Sequence, residues 1–179
     1  MRIIGGKLKG LRLSPPSNLP VRPTTDKGKE ALFNILVNQL DFEAISVLDL
    51  FSGTGNISLE FASRGVPRIV SVDKAYGCVQ YLKSTAKSLD LTAIKAYRAD
   101  VIKFLQQETE KFDLIFADAP FDMPQLPTIP KIVFERELLT TDGLLIVEHP
   151  STIKLDYYPQ FTEQRKYGYS SFSFFRPEN

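Results

Sequence analysis

Two glycines and two aspartates stand at positions that suit a nucleoside-bearing ligand. An apolar run ends in segment 49–55, Asp-Leu-Phe-Ser-Gly-Thr-Gly, where Gly53 and Gly55 are separated by one residue. Glycines let the backbone adopt positive φ and approach a ligand closely, and a helix N-terminus after them offers free N–H groups. Asp73 follows Gly55 by 18 residues, near the ~20 at which a carboxylate meets ribose hydroxyls in dinucleotide-binding folds. Asp100, at the start of a helix, can accept a hydrogen bond from an adenine amine.

Each of these signals also has an ordinary structural explanation. A Gly-x-Gly segment is a common turn, and an aspartate at a strand end is more often a helix cap than a ligand-binding residue. Their joint occurrence at the ends of consecutive strands is far less common. The combination therefore predicts a nucleoside site.

The residues around the glycine turn indicate which ligand the site takes. A dinucleotide site uses Gly-x-Gly-x-x-Gly, whose third glycine lets the helix pack beneath a pyrophosphate, but Ser58 stands at that third position. Asp49 precedes the turn, and a carboxylate there repels a pyrophosphate and favours a cation. S-adenosylmethionine carries a sulfonium and an ammonium group, so the pattern favours a methyl donor over a nicotinamide cofactor.

A second segment could serve the group that receives the methyl. Asp118-Ala119-Pro120-Phe121 follows an apolar strand. The exocyclic amine of a base is a poor nucleophile, and a carboxylate with a backbone carbonyl, those of Asp118 and Ala119, can accept its two protons and hold it in line. Phe121 could stack on a flipped base. The alternative is a strand end followed by a proline turn and a core phenylalanine.

Composition limits the remaining possibilities. The chain has 179 residues and a mass of 20.2 kDa, with 43% apolar and 24% charged residues, which is typical of one globular domain. It has no apolar run near the ~18 residues of a membrane span, and its N-terminus does not resemble a secretory signal. With one cysteine, Cys78, and one histidine, His149, neither an internal disulfide nor a zinc site is expected. We expect a cytoplasmic protein without a metal.

The basic residues are distributed unevenly. Residues 1–25 contain five cations and no acidic residue, whereas the whole chain has a net charge of only +1. A basic arm of this kind commonly contacts nucleic-acid phosphates. The alternative is a solvated terminal hairpin.

The elements that must position these residues follow from the periodicity. Residues 1–13 predict two short strands around a turn, and 14–23 an extended proline-rich loop. A helix capped by Thr25 or Asp26 is expected to reach about Leu40. Strands are then expected at 45–51, 68–73, 93–99, 112–118 and 144–148, alternating with helices at 55–64, 75–90, 100–108 and 131–139. Two aromatic-rich strands, 160–166 and 170–175, end the chain.

Alternating strands and helices predict a doubly wound α/β fold, in which a parallel sheet is covered on both faces. The last two strands are expected to form an antiparallel hairpin at one edge. Ligands bind such sheets at the carboxyl ends of the strands. The glycine turn, Asp73, Asp100 and Asp118 should therefore meet in one crevice.

These residues together resemble the RsmD type of bacterial 16S rRNA (guanine-N2-)methyltransferase. The similarity covers the opening Met1-Arg-Ile-Ile-Gly-Gly-Lys7, the segment Arg22-Pro-Thr-Thr-Asp26, Asp49 to Gly55 and the Asp118 turn. It implies a three-layer, Rossmann-like class I methyltransferase fold. The sheet would have seven mostly parallel strands with an antiparallel C-terminal strand, joined to a small N-terminal hairpin and helix. It also implies S-adenosylmethionine as cofactor and small-subunit rRNA, in an assembled or assembling particle, as partner.

The resemblance assigns residues to roles. The cofactor positions are Asp49, Phe51, Ser52, Gly53, Gly55, Asp73, Lys74, Asp100 and Val101. The catalytic segment is Asp118, Ala119, Pro120 and Phe121. The RNA-binding residues are Arg2, Lys7, Lys9, Arg12, Arg22 and Thr24. The family pattern at the catalytic segment is Asp-Pro-Pro-aromatic, so Ala119 replaces a proline. We expect a less preorganised loop, because alanine lacks the fixed φ of proline.

Several readings stay open on the sequence. The same chemistry would serve a DNA adenine-N6 or small-molecule methyltransferase, and a relative could keep the fold as a non-catalytic RNA-binding protein. We expect one domain, 1–179, comprising a hairpin-and-linker appendage at 1–25 and a Rossmann-like core at 26–179, in a monomer. His149 and Cys78 are expected to be structural.

Overall fold

A computed structural model describes residues 1–21 and 25–178. Within these residues the chain forms a seven-stranded sheet in the order β3-β2-β1-β4-β5-β7-β6, in which β7 alone runs opposite to the other six strands. The strands are β1 Ser46–Leu50, β2 Arg68–Asp73, β3 Ile94–Arg98, β4 Phe112–Asp118, β5 Leu139–Pro150, β6 Phe161–Tyr167 and β7 Ser170–Phe175. This order confirms the predicted doubly wound sheet with one antiparallel strand.

Helices cover both faces of the sheet. They are α1 Asp26–Leu36, α2 Asn56–Ser63, α3 Tyr76–Ser88, α4 Val101–Gln107 and α5 Ile129–Glu135. On the first face, α1, α2 and α3 pack against the sheet through residues such as Phe33, Phe61 and Leu82. On the second face, α4 and α5 do so through Leu105 and Val133. The two apolar layers are the reason that the central strands are buried along almost their whole length.

The strand register brings the predicted site residues to one edge. Leu50, at the end of β1, pairs with Val72 on one side and Ala117 on the other. The segments that follow these three residues therefore leave the sheet at the same level. Asp118 in turn pairs with Glu148 of β5. The glycine turn, Asp73 and Asp118 thus share the carboxyl edge, as the sequence predicts.

Some element boundaries differ from the prediction. Helix α1 ends at Leu36 rather than near Leu40. Helix α5 begins at Ile129, inside the segment predicted as loop, and includes Pro130 in its first turn. Proline suits that position because its missing N–H has no helical partner there. Strand β5 begins at Leu139, within a predicted helix, and shifts register after its pairing with Phe112.

The prediction of two N-terminal strands is wrong in detail. An isolated antiparallel bridge joins Arg2 and Arg12, and the Ile3 N–H donates to the Leu11 carbonyl over 2.9 Å. The intervening turn packs on α2 instead of extending the ladder, because the Lys7 N–H donates to the Ser63 carbonyl over 2.8 Å. No helix in 1–21 and 25–178 is both long and apolar enough to cross a bilayer.

Candidate active site

The glycine turn between β1 and α2 depends on left-handed backbone. Gly53 has φ 55° and Gly55 has φ 92°, and Phe51, a non-glycine residue, has φ 59°. The turn is fixed to its neighbour because the Ser52 N–H donates to the Val72 carbonyl over 3.0 Å. Gly55 precedes α2 without a side-chain cap, so the first N–H groups of α2 have no side-chain acceptor from this residue. Such a helix start is suited to a polar or anionic ligand group.

Asp73 connects the glycine turn to the next helix. One carboxylate oxygen accepts from the Gly53 N–H and the other from the Ala75 N–H, each over 2.9 Å. A carboxylate has about four acceptor sites, so both oxygens keep capacity for ribose hydroxyls. Asp73 is half-buried and Lys74 beside it is exposed. The ribose contact remains a prediction, and the structure adds a role in holding the turn.

Asp49 lies beneath the turn rather than at its surface. It is 1% exposed, and its carboxylate accepts from the Ser58 hydroxyl over 2.5 Å. Ser58 also contacts the Ser71 hydroxyl at 2.6 Å. Burial, with a smaller contribution from the nearby Asp73 charge, raises the pKa of Asp49 to about 7, although the Ser58 hydrogen bond lowers it. When ionised, Asp49 can therefore attract a cationic ligand through its electric field, and it can release its proton when such a ligand binds. It is too buried to contact the ligand at the surface.

The sequence identified Ser58 only as a missing third glycine. The structure gives it a positive role, since its hydroxyl is the direct partner of Asp49. A serine at this point of a nucleotide-binding turn, preceded by a strand-end aspartate, is a signal from which the pairing could have been inferred. Ser71, one strand away, carries no comparable sequence signal.

Asp100 acts as a helix cap in the structure. Its carboxylate accepts from the Lys103 N–H over 3.0 Å at the start of α4, and the residue is exposed. Val101, which follows it, is buried. The cap explains the position of Asp100, and its contact with an adenine amine stays a prediction.

Of the four residues of the catalytic segment, three are at least partly exposed and one is buried. Asp118 and Phe121 are half-buried and Pro120 is exposed, whereas Ala119 is 0% exposed. The Met123 N–H donates to the Pro120 carbonyl over 3.0 Å and closes a turn after the segment. Asp118 and Phe121 are thus reachable by a substrate as the loop stands. The Ala119 carbonyl requires a shift of the loop, and the lower preorganisation expected without proline would permit one.

His149 lies close to this edge but is engaged internally. It is 0% exposed, with Nδ1 2.9 Å from the Pro150 carbonyl and Nε2 2.7 Å from the Ser173 hydroxyl. Nδ1 therefore donates to the carbonyl, and in the neutral form, which burial favours, Nε2 accepts from the Ser173 hydroxyl. Burial lowers the pKa of His149, consistent with the predicted structural role. Cys78 is likewise buried, as expected of a packed residue.

The linker passes beside the glycine turn, a proximity that the sequence does not reveal. A Cβ atom added to Gly53 would lie 3.1 Å from Cγ1 of Val21, and one added to Gly77 would lie 2.7 Å from Cδ2 of Leu19. Leu19 and Val21 therefore border the predicted cofactor crevice. The expected RNA contacts Arg22 and Thr24 lie outside the described residues.

The basic arm is held to α2 by a buried carboxylate. Glu60 is fully buried and accepts from the N–H groups of Ile4 and Gly5, each over 2.9 Å. It also pairs with Lys29 at 3.0 Å and with Arg64 at 2.8 Å. Burial alone would raise the pKa of Glu60, but these donors outweigh it and the pKa is lowered. The carboxylate is therefore charged and fully coordinated.

Lys29 links three parts of the molecule. Its ammonium donates to the Arg2 carbonyl over 2.6 Å and to the Asn56 side-chain oxygen over 2.9 Å, in addition to Glu60. Asn56 is the first residue of α2, directly after the glycine turn. The sequence shows Lys29 and Glu60 as two ordinary charges within helices, because their pairing depends on how α1 and α2 pack.

The docked arm keeps its cations outward. Lys7, Lys9 and Arg12 are exposed, and the half-exposed Arg2 pairs with Asp26 at 3.1 Å. Within 1–21 and 25–178, no three His, Cys, Asp or Glu side chains are grouped so that they could hold a metal ion. The outward cations make the docked arm a basic surface on α2, the helix that follows the glycine turn.

The chain is similar in sequence to a known protein family. The family described as Conserved hypothetical protein 95 matches residues 1–176. The chain belongs to this family. YlbH of Bacillus subtilis, provisionally named an rRNA methyltransferase, is 34% identical over 87% of this chain and 85% of its own. Ribosomal RNA small subunit methyltransferase D of Escherichia coli is 28% identical over 83% of this chain and 74% of its own. These matches confirm the resemblance to the RsmD type.

Solved structures agree on the fold. YhhF of Escherichia coli, provisionally named a methyltransferase, superposes with a TM-score of 0.86 at 23% identity over 99% of both chains. A 16S rRNA N2 methyltransferase of Thermus thermophilus, solved with AdoMet and guanosine, superposes with a TM-score of 0.74 at 21% identity, over 99% of this chain and 49% of that one. The fold is that of class I methyltransferases, as predicted.

Proposed function

We propose that this protein transfers a methyl group from S-adenosylmethionine to the exocyclic N2 amine of a guanine in small-subunit rRNA. The observation that carries the proposal is the position of Asp118, reachable at the end of β4, at the same sheet edge as the glycine turn. Family membership supports methyl transfer to rRNA, since relatives are named for that activity. The N2 position is inferred from the RsmD type.

The crevice fits this cofactor. Gly53 and Gly55 give the turn its left-handed backbone, and Asp73 keeps acceptor capacity for ribose hydroxyls. Asp100 is exposed, and its carboxylate is proposed to accept from the adenine amine. The buried Asp49 provides negative field behind the turn, which suits a cationic ligand. Phe51, Ser52, Lys74 and Val101 complete the proposed contacts. When bound, the cofactor supplies an electrophilic methyl group whose departure leaves a neutral thioether.

Asp118 and Phe121 prepare the acceptor amine. The guanine leaves its stack and lies against Phe121, which replaces part of the lost stacking. The Asp118 carboxylate accepts one amine N–H and, after the loop shifts, the Ala119 carbonyl accepts the other. This aligns the nitrogen lone pair with the methyl carbon. As the N–C bond forms, Asp118 stabilises the positive charge and an amine proton leaves to solvent.

The basic arm binds the phosphates of the RNA. Arg2, Lys7, Lys9 and Arg12 face outward from one docked surface, and Arg22 and Thr24 are proposed to extend it. Because each neutralised phosphate releases counterions, the affinity should fall steeply with salt. A monomer acting in the cytoplasm on an assembled or assembling subunit would add ribosomal surface to these contacts.

Transfer of tritiated methyl groups tests the function. The substrates are undermethylated small ribosomal subunits, protein-free 16S rRNA and DNA, each with S-adenosylmethionine. We expect transfer to the subunits or the rRNA and none to DNA. Transfer to DNA alone would contradict the proposal. Transfer to none of them, with RNA binding retained, would identify a non-catalytic RNA-binding protein.

A further inference from the structure

The turn between β6 and β7 lies at the same sheet edge as Asp118. Asp118 pairs with Glu148 of β5, and Glu148 pairs with Phe172 of β7. These three residues therefore lie at the same level of the sheet. Because β7 is antiparallel, the residues before Ser170 extend beyond the carboxyl edge. Gly168 and Tyr169 form the tip of this hairpin. The hairpin tip is therefore a second feature, separate from the catalytic segment, at the sheet edge where the substrate is proposed to bind.

The separation between the tip and Asp118 follows from sheet geometry. Two strand spacings of ~4.8 Å separate β4 from β7. Tyr169 lies three residues beyond the level of Phe172, or ~10 Å along the strand. The tip is therefore about 15 Å from Asp118 by strand spacing and rise. That span suits a nucleotide close in sequence to a base held at Asp118.

Tyr169 is an unusually exposed aromatic residue on a fixed backbone. Its exposed fraction is 95%, the highest of the large exposed hydrophobic residues in the described part of the chain. The Tyr169 carbonyl accepts from the Ser151 N–H over 3.0 Å, and the Tyr167 ring packs edge-on against Phe172 at 5.7 Å. The ring at the tip is thus presented outward by a preorganised hairpin, which lowers the entropic cost of a contact.

The charge beside the ring indicates the kind of partner. Lys166 of β6 is exposed and forms no ion pair with any residue in 1–21 or 25–178. Arg165, its neighbour, is paired with Glu163 at 3.1 Å. A cation without an ion-pair partner, three residues before an exposed aromatic ring, resembles the pattern that binds single-stranded nucleic acid, in which the ring stacks on a base and the cation meets a phosphate.

We propose that Tyr169 stacks on an unpaired base near the target guanine and that Lys166 contacts the adjoining phosphate. This proposal rests on the proposed function, because it assumes an RNA substrate. It places the substrate strand along the carboxyl edge, from Asp118 toward the β6-β7 tip. Tyr169 is then a substrate-positioning residue that takes no part in the chemistry.

Tryptophan fluorescence gives a direct test, because the chain contains no tryptophan. The Tyr169→Trp variant would carry a single reporter at the tip, and stacking on a base should quench it when protein-free 16S rRNA is added. Tyr97→Trp is the matched control. Tyr97 is 50% exposed and lies on β3 at the opposite edge of the sheet. Its fluorescence should change little.

Steady-state kinetics on undermethylated small subunits give the second readout. Tyr169→Ala should raise KM for the subunit about 5- to 100-fold, the usual range for loss of one stacked base. Its kcat and its affinity for S-adenosylmethionine should stay unchanged. Tyr169→Phe keeps the ring and should behave as wild type. Tyr97→Ala should leave KM unchanged.

The outcomes separate this proposal from the one on which it rests. If wild type methylates RNA but Tyr169→Ala keeps the wild-type KM, or Tyr169→Trp stays unquenched at saturating RNA, the stacking contact is refuted and the proposed function stands. If Tyr169→Ala weakens binding to subunits but not to protein-free rRNA, the tip contacts a ribosomal protein and the proposal is also refuted. If wild type methylates no RNA, both proposals fall.

Discussion

At the residue scale, Asp118 carries the greatest weight in the proposed chemistry. Asp118→Asn keeps the size of the side chain but removes the charge that would stabilise the developing cation. We expect methyl transfer to fall by about 100- to 1000-fold, as for loss of a comparable electrostatic group. Affinity for S-adenosylmethionine, measured by calorimetry, should be unchanged. A variant with wild-type turnover would show that Asp118 is only a strand end.

Asp49 predicts a pH dependence with a defined sign. Its pKa in the folded chain is about 7, above the ordinary value of 3.8, because it is buried. The folded state therefore favours the protonated form. The stability that this proton contributes is complete below about pH 4 and is lost as the pH rises to about 7.

A cationic cofactor should reverse that preference. We expect binding of S-adenosylmethionine to strengthen from about pH 6 to about pH 8, with a proton released from Asp49 on binding. Calorimetry in buffers of different ionisation enthalpy measures the proton release. Asp49→Asn is the control, because it cannot ionise. If Asp49→Asn released as many protons as wild type, the carboxylate would have no part in binding.

At the element scale, the attachment of the arm to α2 depends on buried charge. Glu60→Gln removes the carboxylate that coordinates Lys29, Arg64 and two backbone N–H groups. An unpaired buried lysine would remain, so we expect the free energy of unfolding to fall by about 3–5 kcal/mol. Urea denaturation measures it.

The exposed pair Arg2–Asp26 supplies the control for this prediction. Its side chains are 39% and 48% exposed, so Asp26→Asn should cost less than about 1 kcal/mol. Equal losses for Asp26→Asn and Glu60→Gln would contradict the structural role given to the buried network.

Gly6 offers a way to release the arm without touching its cations. Gly6 has φ 78°, and an added Cβ would lie 1.9 Å from the Ser63 carbonyl oxygen, a backbone atom of α2 that cannot move aside. Gly6→Ala should therefore detach the turn and raise KM for the RNA substrate. The rate of hydrogen exchange at the Ile4 amide, which donates to the Glu60 carboxylate, should rise as well.

Gly10 provides a matched comparison. It also has positive φ, at 88°, but a Cβ there would meet nothing within 4 Å. Gly10→Ala should cost only backbone strain of about 1–2 kcal/mol and leave the arm docked. Loss of Ile4 protection in both variants alike would mean that strain, and not contact with α2, governs the arm.

The elements show which features a sequence can reveal. The mostly parallel sheet and the convergence of the glycine turn, Asp73 and Asp118 follow from local periodicity and from the rules for parallel sheets. The sequence predicts a later start for helix α5, because prolines often indicate loops, although proline is also favoured in a first helical turn. The wide turn of the arm could not be predicted, because Gly6 serves packing on α2 rather than a strand ladder.

Pairs of interacting side chains are harder to predict from the sequence than the position of the site. The sequence predicts that Asp49 faces a ligand, but the side chain is buried against Ser58. Ser58 reaches Asp49 only when α2 packs on β1. The pairing of Lys29 with Glu60 likewise joins two helices far apart in the chain. Such contacts are set by tertiary packing, and no local pattern records them.

At the scale of the whole molecule, we propose that 1–179 folds as one domain. The arm shares the first apolar layer through Ile3, which is 1% exposed, and it is fastened by the Glu60 network. The basic arm is fastened to α2, and the β6-β7 tip extends beyond the carboxyl edge; we propose that the RNA contacts both.

The central claim is that the chain methylates guanine N2 in small-subunit rRNA. The most direct test is mass spectrometry of nucleosides from undermethylated small subunits after incubation with the protein and S-adenosylmethionine, with Asp118→Asn as control. We predict new N2-methylguanosine with wild type and almost none with Asp118→Asn. A methyl group found on another base or position, or equal product with Asp118→Asn, would contradict the account.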